Sequence, residues 1–149
     1  TAYVPLDEAG ETVIAGRLKV GSLVGGALPE VPASRRFYAG GGGSVRGYAY
    51  QAVGPRLADG TPAGGLSLLE TSLEVRRKLT DRWGVVAFID AGSVGQDVTP
   101  SGDNLSVGVG IGVRYDLGFG PIRADIAVPL DADKRDGAFQ VYISIGQSF

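Results

Sequence analysis

The chain has 149 residues, of which 25 are glycine and none is cysteine, methionine or histidine, and its formal net charge is −2. Without Cys or His it offers no Ser-His-Asp or Cys-His nucleophile pair, no thiolate-bound zinc and no histidine metal centre, so no catalytic residue, metal or cofactor is expected. The charge gives no basic footprint for nucleic acid, and no apolar run approaches the ~20 residues of a spanning helix, which leaves strands as the only route to a membrane role.

The length fits one domain, residues 1–149, and a chain that begins Thr1 rather than Met reads as a processed or excised piece. Residues 1–6 read as the end of a strand and 7–11 as a turn. From Thr12 to Val24 the chain alternates loosely, with Ile14, Leu18 and Val20 on one face and Arg17, Lys19 and Gly21 on the other. Residues 25–65 form the one long irregular stretch, well beyond the ~12–15 residues of an ordinary connection, and a loop of that length is usually functional.

The pattern then sharpens. Leu69, Thr71, Leu73 and Val75 share a face opposite Glu70, Ser72, Glu74 and Arg76. After a turn at Thr80-Asp81-Arg82, the segment Trp83–Gly92 sets Val85, Ala87, Ile89 and Ala91 against Gly84, Val86, Phe88 and Asp90. A Pro/Gly/Asp/Asn-containing loop, 95–104, leads to the cleanest alternation. Here Leu105, Val107, Val109, Ile111, Val113 and Tyr115 oppose Ser106, Gly108, Gly110, Gly112, Arg114 and Asp116. Beyond a turn at 117–120, Ile122, Ala124, Ile126 and Val128 oppose Arg123 and Asp125. A charged loop, 129–137, precedes a last strand over 139–149, where Phe139, Val141, Ile143, Ile145 and Phe149 oppose Gln140, Tyr142, Ser144, Gly146 and Ser148.

Period-2 patterning without a comparable helical segment predicts an all-β, antiparallel meander of seven strands. Short connections alternate with long ones, and the face opposite the aliphatic residues carries Gly, Ser and a few charges of both signs rather than many Lys and Glu. Those features favour a transmembrane β-barrel over a soluble sandwich. Seven strands cannot close a bacterial barrel, and an open edge is not solvated by lipid, so the strands are expected to belong to a larger barrel.

Inside the long loop stands Arg36-Phe-Tyr-Ala-Gly-Gly-Gly-Gly-Ser-Val-Arg-Gly-Tyr48. Four consecutive glycines, Gly40, Gly41, Gly42 and Gly43, bring no side chains to pack, yet Phe37, Tyr38, Tyr48 and Tyr50 flank them, unlike a flexible linker. The stretch reads as a buried loop tip presenting one cation, Arg46, between Val45 and Gly47-Tyr48. It lacks Gly-x-Gly-x-x-Gly spacing and a Gly-Lys-Ser/Thr, so a phosphate loop is excluded. Alternation places Glu74 and Asp90 on the polar face of neighbouring strands. Either they clamp Arg46, with Asp90 as the pairing carboxylate and Glu74 in support, or they pair with nearby cations such as Arg76 or Arg114.

Val45-Arg46-Gly47-Tyr48 resembles the tip of the long sixth extracellular loop in the BamA/TamA family of outer-membrane assembly barrels. The run Arg36-Phe37-Tyr38-Ala39-Gly40-Gly41 is similar to the TamA-like branch. Ser72-Leu73-Glu74-Val75 resembles the family strand with an inward glutamate. Phe88-Ile89-Asp90-Ala91-Gly92 resembles its Phe-x-Asp-x-Gly strand, whose aspartate pairs with the loop arginine, and Gly120–Ala127 resembles the penultimate strand.

The resemblance implies the C-terminal strands of a sixteen-stranded barrel preceded by POTRA domains, located in the bacterial outer membrane, with loop 25–65 folded into the lumen. It implies a non-enzymatic assembly and insertion factor whose partners are the lipid bilayer, unfolded β-barrel or autotransporter substrates, and a periplasm-spanning inner-membrane protein. Incoming strands would pair at a weak seam beside the last strand. Aromatic Phe149 would serve as the C-terminal sorting signal, and Gly146 is either a kink point or a small lumen-facing residue. A two-partner secretion pore and the barrel module of a patatin-like phospholipase are the competing expectations.

Overall fold

A computed structural model of the protein describes residues 1–131 and 136–146. Its strands are β1 (Ala2–Pro5), β2 (Thr12–Ser22), β3 (Ser67–Lys78), β4 (Trp83–Gly95), β5 (Ser106–Asp116), β6 (Pro121–Pro129) and β7 (Gln140–Ile145). They form one sheet in chain order, each pairing antiparallel with the next. Two single 3-10 turns, Leu28–Glu30 and Ala33–Arg35, interrupt the long β2–β3 connection, and no α-helix occurs among the described residues.

One end of the sheet carries three short turns, each fixed by a side-chain oxygen that accepts backbone N–H groups. Asp7 accepts from Glu11 and Thr12 at 2.7 and 2.8 Å, Thr80 from Arg82 and Trp83 at 3.3 and 3.0 Å, and Asp116 from Gly118 at 2.8 Å. The other end carries the three long connections.

Alternation then decides the two faces. Leu73, Ile89, Ile111, Ile126 and Ile143 point outward and are between 44 and 75 % exposed, whereas Glu74 and Asp90 are fully buried. In water each such aliphatic side chain would forgo about 1.5–3 kcal/mol of burial, so this outer face is built for hydrocarbon. The buried face is the polar one, covered by the β2–β3 loop.

Cross-strand register arranges that buried face in rows. Ser72, Asp90 and Gly108 are opposite one another; Glu74, Phe88, Gly110 and Ala127 form the next row; Arg76, Val86, Gly112, Asp125 and Tyr142 form the third.

Several strand ends differ from the sequence expectation by a few residues, among them those of β4 and β7. β4 continues past Gly92 to Gly95, because Ser93, Val94 and Gly95 pair with Leu69, Leu68 and Ser67 of β3, and the loop that follows folds back to take the Ser93 hydroxyl through the Ser101 and Asp103 carbonyls. The described part of β7 begins after Phe139 and stops at Ile145, where Gly146 adopts φ +101°. No atom lies within 4 Å of where a Gly146 Cβ would stand, so its backbone conformation supports a kink rather than a packing role. Phe149 lies outside the described residues.

Candidate functional site

The β2–β3 loop returns on itself as two arms. Phe37 and Gly65 exchange backbone hydrogen bonds at 2.9 and 3.0 Å, Ala39 pairs with Val53, and Arg56 with Pro62. Arg36 fastens the base of the loop by donating to the Val31 and Ala63 carbonyls, both at 2.9 Å. Beyond Ala39 the chain turns at Gly40, whose φ of +109° and whose close approach to Ala49 both exclude a side chain. The four glycines are not equivalent. A Cβ on Gly42 would lie 2.9 Å from the Tyr142 ring, while one on Gly43 would meet nothing within 4 Å.

Val45 and Tyr48 anchor the tip apolarly, packing with Ala39, Val53, Leu68 and Val94. Between them Arg46 is driven into the polar face, where it is 2 % exposed. Its Nε lies 2.6 Å from Asp90 Oδ2 and its Nη2 2.9 Å from Asp90 Oδ1, a bidentate fork. The Arg46 backbone N–H also donates to Asp90, at 3.1 Å. Nη1 is 2.7 Å from Glu74 Oε1 and 3.6 Å from Asp125 Oδ2. Ser72 orients the aspartate by donating to Oδ1 at 2.5 Å, and the Phe88 ring lies with its centroid 3.4 Å from the guanidinium carbon.

Further cations join the cluster. Glu74 also binds Arg76 at 2.7 Å, and Asp125 binds Arg114 at 2.5 Å, so Arg46, Arg76 and Arg114 face Glu74, Asp90 and Asp125. Each buried carboxylate thus has a cationic partner, as its burial requires, since an unpaired buried charge costs several kcal/mol, and a fourth arginine, Arg123, is buried near Glu74 and Asp125.

Around this centre the strands make room. A Cβ on Gly108 would stand 1.8 Å from the Arg46 carbonyl oxygen, one on Gly92 2.6 Å from a Val45 methyl, and one on Gly112 1.8 Å from an Asp125 oxygen. The alternate glycines of β5 therefore form a lane free of side chains beneath the tip. Gly47, at φ +102°, brings the tip backbone against Val128 on β6.

The structure thus brings Arg46, Glu74 and Asp90 together and places Val45, Gly47 and Tyr48 as their frame. Of the two pairings open from sequence, both contribute at Glu74, which is shared by Arg46 and Arg76, while Arg114 goes to Asp125 instead. Asp125 and Tyr142 were not singled out from the sequence. Both stand on the polar face by alternation, but only the register places them in one row next to the tip. Glu70 was missed as well. It is buried, takes the Ser44 hydroxyl in a short hydrogen bond, and lies 3.4 Å from Lys19. Arg17 adds to this support by donating to the Gly43 and Ser44 carbonyls at 2.9 and 3.2 Å.

The family profile described as Omp85 superfamily domain matches residues 1–149. The chain is 30% identical over 147 residues to a protein named outer membrane protein assembly factor BamA, from Nitratidesulfovibrio vulgaris strain Hildenborough, covering 92% of this chain and 18% of that relative. Among solved structures, the crystal structure of BamA from Haemophilus ducreyi lacking POTRA domains 1–3 superimposes with a TM-score of 0.71 at 24% identity. That match covers 93% of this chain and 32% of the other. The chain therefore spans less than a fifth of the curated relative's length.

Proposed function

Because the chain belongs to the Omp85 superfamily of outer-membrane β-barrel proteins, we propose that it supplies the C-terminal strands of a sixteen-stranded barrel that inserts β-barrel or autotransporter proteins into the bacterial outer membrane. The observation that carries this reading is the loop tip seated on the buried face, with Arg46 forked onto Asp90 and braced by Glu74. A connection held open for passive diffusion has no need of a guanidinium clamped by buried carboxylates. A loop that fixes the inner shape of an assembly barrel does.

In this role no bond is made or broken. Substrate strands are recognised through backbone pairing at a sheet edge, as in other β-augmentation systems. The run Arg36–Gly41 supports the TamA-like branch, and with it a periplasm-spanning partner anchored in the inner membrane. Phe149 is proposed as the sorting signal by which this barrel is itself recognised.

The test is reconstitution of the full-length protein in phospholipid vesicles with an unfolded β-barrel substrate, read by protease protection of the folded product. Accelerated folding that falls in Arg46→Ala and Asp90→Asn is the expected result. Release of a soluble polypeptide across the vesicle wall without insertion would identify a secretion pore. Phospholipid hydrolysis by the full-length protein would identify a lipase module.

A further inference from the structure

Among the described residues, strand β7 is held to β6 by six cross-strand pairs, from Ile122–Ile145 to Ala127–Gln140, against nine between β5 and β6. Its lumen face makes further attachments, and they go to the loop tip. The Tyr142 hydroxyl donates to the Tyr48 carbonyl at 2.8 Å and accepts the Gly47 N–H at 3.1 Å. The same ring lies against Gly42, where any side chain would strike it. Arg123 on β6 completes the bridge, with Nη2 donating to the Gly42 carbonyl at 2.9 Å and Nε to the Ser144 hydroxyl of β7 at 2.5 Å.

These contacts flank Arg46 on either side in sequence and grip the tip from the wall opposite its carboxylates. The close ion pairs hold the tip to β3 and β4, with a longer one to Asp125 of β6, while neutral and singly charged hydrogen bonds hold it to β6 and β7. A single phenol bonds two consecutive residues of the tip and belongs to a strand whose described ladder is short.

We propose that Tyr142, with Arg123 in support, is a positioning residue that couples seating of the loop tip to the pairing of β7 with β6. While the tip is seated, β7 is held against the sheet from its lumen side. When the tip withdraws, both Tyr142 hydrogen bonds are lost together and β7 is left to its ladder and the Arg123–Ser144 hydrogen bond. The coupling is reciprocal, so loosening β7 also weakens the hold on the tip. Two hydrogen bonds correspond to about a tenfold change in an opening equilibrium. The coupling lies within the barrel and holds whatever substrate the protein acts on.

Hydrogen exchange by mass spectrometry on the full-length protein in lipid nanodiscs tests it, following peptides over 140–146 and 40–50. Arg46→Ala is expected to raise exchange in β7 by about tenfold when Tyr142 is present. In a Tyr142→Phe background, which keeps the ring and loses the hydroxyl, β7 exchange is expected to be raised already and Arg46→Ala to add little. An equal effect of Arg46→Ala in both backgrounds, or no effect on β7 when Tyr142 is present, would overturn the coupling. Should Arg46→Ala fail to assemble, Asp90→Asn loosens the same end of the tip and is read by the same two comparisons.

Discussion

Asp90 receives three donors from one residue, Arg46: its Nε, its Nη2 and its backbone N–H. The carboxylate therefore fixes the side chain and the peptide of the tip at once, and Glu74 takes the one terminal nitrogen that the fork leaves over. A lysine at the same position would keep the charge but lose the fork.

Truncating Arg46 to alanine is expected to cost about 3–5 kcal/mol in tip seating, mostly from carboxylates left buried without a partner. Arg46→Lys should recover only part of it. In a double-mutant cycle with Asp90→Asn, read by protease cleavage within residues 40–50, the two losses should fall short of additivity by more than about 0.5 kcal/mol. Strict additivity would mean that the pair does not interact.

Gly108→Ala is expected to unseat the tip although it removes no interaction, because its Cβ would stand 1.8 Å from the Arg46 carbonyl oxygen. Overpacking of this kind costs about 1–3 kcal/mol. Gly43→Ala, beside open space, should stay within about 0.5 kcal/mol of wild type. Loop proteolysis on the two variants checks the contrast; similar behaviour of both would remove the role given to the β5 glycines.

Ile111 stands mid-strand on the apolar face and is 63 % exposed. Ile111→Arg is expected to destabilise the barrel by about 2–4 kcal/mol in a bilayer. The same change on the surface of a water-soluble sheet would be close to neutral. Unfolding titrations in lipid vesicles decide which medium this face is built for.

Asp7 gives one end of the molecule a pH dependence. Its pKa is lowered below 3.8, first by the hydrogen bond with the Thr12 hydroxyl, with the Glu11 and Thr12 backbone N–H groups and Arg77 acting in the same direction. A lowered native pKa means that the carboxylate holds the turn fully above 3.8 and releases it as the pH falls through the lower, native value. Amide exchange at Glu11 and Thr12, corrected for its intrinsic pH dependence, should rise across that acidic window in the wild type. It should be flat in Asp7→Asn.

Most of the fold was legible because one rule, alternation with period 2, acts residue by residue and needs no long-range information. It sorted Leu73 from Glu74 and Ile89 from Asp90 correctly. The tip was legible from local chemistry, since a lone arginine between glycines and aromatic residues has few other uses. Asp125 and Tyr142 escaped because alternation states which face a residue takes, not how high on the sheet it stands. Height depends on register summed across several turns, and only the assembled rows bring Tyr142 level with Asp125 and Gly112. The extent of β4 was hidden for a related reason, as its last residues are kept extended by pairing with the start of β3, which register alone brings level with them.

The charge cluster has a kinetic consequence. Lift Arg46 away and Asp90 loses the cation that pairs with it, whereas Glu74 keeps Arg76 and Asp125 keeps Arg114, while the departing tip carries the complementary positive charge. The two attract through the water that enters between them, so the return of the tip is steered and slows as ionic strength rises. Its departure starts from a buried, ion-paired site that salt screens far less. Salt should therefore lengthen the time the tip spends away far more than it shortens the time the tip stays home.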